Sequence, residues 1–142
     1  MSILYKRQKW MDLMQQENKT ALHLRVQLVD NWHDDWTSVL KLIDRVGKRS
    51  CLQLDEDGWL SARQNLLVGF AGGKPVGFFC FRVEPQASNG EPVMVAVVEA
   101  CEVDPEAGYD SQTVARELRQ AAMNRALELR CQKFLGASCV IS

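Results

Sequence analysis

The sequence predicts an α/β domain built on a mixed α+β sheet with helices on its faces. Three observations carry this. Residues 93–98 form an apolar, β-branched run that suits a strand covered on both faces. Residues 65–83 set two apolar runs around Gly72, Gly73 and Lys74, which reads as a hairpin whose turn needs positive φ. Residues 112–129 repeat Val114, Ala115, Leu118, Ala121, Ala122, Ala126 and Leu129 at spacings of three and four, the helical period.

Size and charge narrow the function classes. A chain of 142 residues accommodates one domain with a substantial core. A net charge of −1 sets up no global field for nucleic acid or an anionic membrane, so neither is an expected partner. No apolar run reaches spanning length, and the first residues lack a signal-peptide core, so the expected location is cytoplasmic. The cysteines Cys51, Cys80, Cys101, Cys131 and Cys139 are odd in number and show no C-x-x-C spacing. Reduced thiols are therefore expected, with no disulfide framework and no metal site.

In chain order, residues 1–20 read as an N-terminal helical extension, with Trp10, Leu13 and Met14 on one face. A single domain, 21–142, follows. Residues 21–29 alternate, placing Leu22, Leu24, Val26 and Leu28 on one strand face and His23, Arg25 and Gln27 on the other. Asp30 or Asn31 can cap the next helix, whose stripe is Trp36, Val39, Leu40 and Ile43 and whose end falls near Gly47. Residues 50–64 show no clear period, and their acidic cluster reads as a solvated turn without calcium-loop spacing. Residues 85–92 read as a polar loop into the 93–103 strand. Ser111 can cap the long helix, and residues 131–141 read as a last strand. The strand–helix–strand unit at the end is expected to be a right-handed parallel crossover.

Between the 93–103 strand and the long helix, Pro105 and Gly108 punctuate a short connection. Such a connection presents unpaired backbone N–H groups at a helix N-terminus, where aligned peptide dipoles favour phosphate.

This order, and three local stretches, resemble the GNAT superfamily of acyl-CoA-dependent N-acyltransferases over about residues 21–141. Leu24-Arg25 followed by an apolar helix resembles the family's first strand and helix. Leu67-Val68-Gly69-Phe70 through Gly77-Phe78 resembles its second and third strands. Glu102-Val103-Asp104-Pro105-Glu106 resembles the end of its fourth strand. The family's phosphate loop reads Arg or Gln, two residues, Gly, one residue, Gly or Ala. Here Ala107 stands about where the Arg would be, Gly108 matches the first Gly, and Asp110 or Ser111 replaces the second. The loop is degenerate in that sense, and a carboxylate at Asp110 repels a diphosphate and competes for its amides. Family members continue through another helix and two strands, so the sequence reads as short at its C-terminus.

The resemblance implies acetyl-CoA as co-substrate and a small-molecule or peptide amine as acceptor. It implies that main-chain groups of Cys101 and Val103 pair with pantetheine, and that Gly108, Tyr109, Asp110, Ser111 and Gln112 surround the diphosphate. The amine must lose a proton before attack, which suits a carboxylate base. Glu99 and Glu102, three apart on one strand, are expected on opposite faces, and Glu99 is the chosen base. Tyr109 is the chosen acid for the leaving thiolate. An open sheet edge would be covered by residues 1–20 or by a homodimer. Two other readings stand beside catalysis: a degenerate binding or regulatory module, and a structural subunit that docks by its sheet edge.

Overall fold

A computed structural model describes residues 24–136. The proposed helix at 1–20, the residues 21–23 of the first strand and residues 137–141 of the last lie outside that range. Five strands form one sheet in the order β1-β2-β3-β4-β5. They are β1 (Leu24–Val29), β2 (Gln64–Ala71), β3 (Lys74–Ser88), β4 (Glu91–Val103) and β5 (Cys131–Leu135). The first four pair antiparallel and β5 pairs parallel to β4, so the sheet is mixed as expected. Helix α1 (Trp36–Arg45) covers one face and α2 (Ser111–Glu128) the other.

Strand alternation builds two cores. On β2, Leu66, Val68 and Phe70 join Val39, Leu42 and Ile43 of α1, while Leu67 and Ala71 join Val114, Ala115 and Leu118 of α2. All of β2 is buried, so it has neighbours on both faces and both edges. On β1, Val29 packs toward α1, and Leu24 and Val26 pack toward α2. Gly77 lets α2 approach the sheet closely. A Cβ there would stand 3.0 Å from Glu102 O and 3.1 Å from Val114 Cγ1.

Three local expectations are corrected. Residues 85–92 are not a loop: β3 runs to Ser88 and β4 starts at Glu91, joined by a tight turn at Asn89 (φ 52) and Gly90 (φ 81). Two positive-φ residues make the turn whose twist matches the strands. Helix α2 is capped by Asp110 rather than Ser111, because the Asp110 carboxylate accepts from Gln112 N. Helix α1 follows Asp35 without a side-chain cap; Asp30 instead accepts from Trp32 N, and Asn31 from Leu60 N.

Residues 52–60 cross the α1 side, with Leu52 in its core and a lone bridge between Leu54 and Leu60. Buried Gln64 fixes this segment by accepting from Gln53 N and donating to Cys51 O. Both polar ends of its amide are therefore satisfied, as a buried amide requires. Cys51, Cys80 and Cys131 are free thiols. Cys101 is disulfide-bonded, so reduced thiols throughout is not the outcome. No helix among the described residues is long and apolar enough to cross a membrane.

Candidate active site

The site is assembled at and beyond an irregularity in β4. Cys80 pairs with Ala100 but Phe81 pairs with Val98, so Glu99 is the extra residue of a β-bulge. The bulge changes which way Glu99 points. Glu99 forms an ion pair with Arg82, which alternates with Phe81 and Val83 of the α2-side core. Glu102 forms an ion pair with Lys48, just beyond α1, at 3.6 Å. Both carboxylates therefore serve the α1 side, correcting the expectation that they face opposite ways. The two-residue period holds only where the ladder is regular.

Glu99 is four-fifths buried and Arg82 about two-thirds, and Arg82 also pairs with Glu84 at 3.1 Å. The Glu99 carboxylate, then that of Glu84, pushes the Arg82 guanidinium above its ordinary range. Close by are Cys51 and Cys80. The Cys51 thiol is held below the usual range mainly by a hydrogen bond from Cys80, whose own thiol is pushed up by that bond and by burial.

Down the strand, Asp104 N donates to Val76 O at 2.8 Å. In an antiparallel ladder successive residues turn their main-chain groups to opposite sides. Glu102 and Asp104 thus bond toward β3, while Cys101 and Val103 direct their main-chain groups to the other side of β4. The β4–β5 pairing among the described residues ends at Val97 and Leu135, two residues before the bulged Glu99.

The loop after β4 is organised by Asp104, which the sequence reading did not single out. Its side chain is buried and pairs with Arg45 of α1 at 2.5 Å. It accepts from Glu106 N at 2.9 Å, and its carbonyl accepts from Ala107 N at 3.2 Å. Gly108 follows at φ 78. At the helix end, Asp110 accepts from Gln112 N at 3.3 Å and from the Thr113 hydroxyl at 2.6 Å. The Thr113 hydroxyl, then the helix amides, holds the Asp110 carboxyl below its ordinary range. Among the described residues, the N–H groups of Gly108, Tyr109, Asp110 and Ser111 have no internal acceptor. Of the five residues expected around a diphosphate, Gln112 has its N–H taken by the Asp110 carboxylate.

A cleft of about 710 Å³ opens where the β2–β3 turn, the loop and α1 meet. Lys41, Arg45, Lys74, Asp104, Glu106 and Tyr109 line it. The Tyr109 hydroxyl lies by the turn, 4.0 Å from where a Gly72 Cβ would stand. Glu99 is not in this cleft; four residues of strand put it roughly 13 Å from Val103. The structure gathers Val103, Gly108, Tyr109, Asp110, Ser111 and Gln112 at one end and leaves Glu99 apart. The cleft's cations were missed because α1 and a hairpin turn deliver them from far apart in sequence.

Among the described residues, a mixed five-stranded sheet carries α1 on one face and α2 on the other, with a bulge in its fourth strand: an α/β domain of the GNAT type. The chain belongs to the Acetyltransferase (GNAT) family, whose model matches residues 12–140. Solved structures agree on the fold. An acetyltransferase from Trypanosoma brucei superposes with a TM-score of 0.61 at 18% identity, over 82% of this chain and 84% of that one. An aminoglycoside acetyltransferase from an uncultured soil metagenomic sample gives 0.62 at 13% identity, over 84% and 80%. An aminoglycoside N-acetyltransferase in complex with CoA gives 0.57 at 16% identity, over 82% and 80%. No curated protein matches the chain.

Proposed function

We propose that this chain is an acetyl-CoA-dependent N-acetyltransferase acting on a small-molecule or peptide amine. The observation that carries the reading is the bulge at Glu99. It lies two residues past the last β4–β5 pair among the described residues, and upstream of a loop with four amides that have no acceptor among those residues. When bound, acetyl-CoA supplies the acetyl group as a thioester. The main-chain edge at Cys101 and Val103 would hold the pantetheine arm. The amides of Gly108, Tyr109, Asp110 and Ser111 would hold the diphosphate, with Gln112 joining once Asp110 turns away. Lys41, Arg45 and Lys74 add positive charge beside that loop, which favours an anion.

Glu99 is proposed as the base that takes the amine's proton, directly or through one water. Arg82 fixes its carboxylate in place. Tyr109 is proposed as the proton donor to the leaving thiolate, for which it would turn from Gly72 toward β4. A homodimer covering an open sheet edge is part of the same proposal.

The Asp110 cap favours a second reading, a binding module without catalysis, because the carboxylate already uses the amide a phosphate would need. One experiment separates them: incubation with acetyl-CoA and an amine, followed by mass spectrometry. Sisomicin, bound by one structural relative, is a suitable first amine, beside a lysine peptide. Transfer of one acetyl group, lost in Glu99→Gln, supports the enzyme. Binding of acetyl-CoA without transfer to any amine supports the module.

A further inference from the structure

Trp32 and Trp59 take no part in either core. They are 73% and 48% exposed, yet their rings meet edge-on with centroids 5.2 Å apart. Exposed tryptophans are the side chains with the most apolar area to gain from a partner. The pair is built from two separate segments. Trp32 lies on the turn between β1 and α1, and Trp59 on the turn within residues 52–60. Asn31 Oδ1 accepts from Leu60 N at 3.2 Å and fastens one turn to the other. Asp30 and Asp55 each accept from the main-chain N–H of the adjoining tryptophan, both at 2.9 Å. The rings are thus presented by two braced turns.

The two turns carry charge of one sign. Residues 28–38 and 53–60 carry Asp30, Asp34, Asp35, Asp55, Glu56 and Asp57, and no Lys or Arg. All but half-buried Asp35 are exposed. None of the ion pairs among the described residues involves any of the six. Two exposed indoles on turns that carry only carboxylates, none in an ion pair among the described residues, complement one kind of occupant. A guanidinium or ammonium group gains from the aromatic face and from the carboxylates together.

We infer that this aromatic corner docks an arginine- or lysine-rich segment of a partner polypeptide. The inference stands apart from the transferase reading, since nothing in it needs acetyl-CoA. Arginine is the better fit of the two, because its flat guanidinium stacks on a ring while its N–H groups can pair with carboxylates of the same turns.

The test is calorimetric titration of the full chain with an arginine-rich octapeptide, a glutamate-rich octapeptide and spermine. The arginine peptide is expected to bind and the glutamate peptide not to. Trp32→Ala and Trp59→Ala should each weaken binding about two- to fivefold, the range of an exposed cation–π contact. The triple variant Asp34→Asn, Glu56→Gln, Asp57→Asn should weaken it further and flatten its salt dependence. These are surface changes, and an unaltered melting temperature would establish that each variant is folded. Wild-type affinity in the Trp32→Ala, Trp59→Ala double variant would overturn the inference. So would equal binding of spermine, which would mean a small polycation site. Dimerisation lost in the double variant would also overturn it, assigning the corner to a second copy of the chain.

Discussion

Asp110 caps α2 with the amide that the proposed cofactor would need. As a helix cap it satisfies Gln112 N, and as a carboxylate it repels a diphosphate at the same place. Asp110→Gly removes the repulsion while keeping a residue that helix starts tolerate. Its expected effect is tighter acetyl-CoA binding with a small fall in melting temperature, read by calorimetry and a thermal melt. The pH dependence follows from the lowered carboxyl. A group depressed on folding stabilises above its unfolded pKa, about 3.9 for Asp, and that contribution is lost as pH falls through the lower folded value. The difference in melting temperature between wild type and Asp110→Asn should therefore shrink as pH drops through that window.

The cysteine pair makes a second prediction at this scale. Cys51 is the half-exposed thiol with the lowered pKa, and Cys80 and Cys131 are buried with raised ones. Iodoacetamide near neutral pH should label Cys51 before either of the other two, since the thiolate is the nucleophile. Cys80→Ala should slow that labelling by removing the hydrogen bond. Faster labelling of Cys51 in the variant would contradict the assignment.

Elements were legible in the sequence where the period was regular. The 72–74 turn, the helical stripe of α2 and the alternation of β1 all read directly from residue spacing. Two elements were misjudged for identifiable reasons. The polarity of residues 85–92 suggested a loop, but Asn89-Gly90 is a strong hairpin signal and outweighs it. The face of Glu99 could not be read, because a bulge depends on pairing with β3 and not on β4 alone. Asp104 was passed over because its partner, Arg45, is 59 residues away.

Two glycines separate conformation from packing at this scale. Gly90→Ala meets open space and strains only the positive φ, so it should cost about 1 kcal/mol. Gly77→Ala has an ordinary φ but drives a methyl into Glu102 O, Val114 and Leu118, so it should cost about 1–3 kcal/mol. Urea denaturation of the two variants measures both. A larger loss at Gly90 would show that α2 is not seated on β3 as described.

At the scale of the molecule, one sheet serves two purposes. On its α2 side, Ala115, Ala122 and Ala126 join fully buried Leu118 in a core with Phe79 and Phe81 of β3. Leu118→Ala should cost about 2–5 kcal/mol, as large-to-small changes in such places do. Its α1 side carries three ion pairs between elements, Arg82 with Glu99, Lys48 with Glu102 and Arg45 with Asp104.

The central claim is that β4 and its loop still receive acetyl-CoA despite Asp110. Calorimetric titration of acetyl-CoA into the wild-type chain and Asp110→Gly tests it most directly. The account predicts saturable binding to both, tighter in the variant. No heat from either chain at millimolar acetyl-CoA, with both folded, would contradict it.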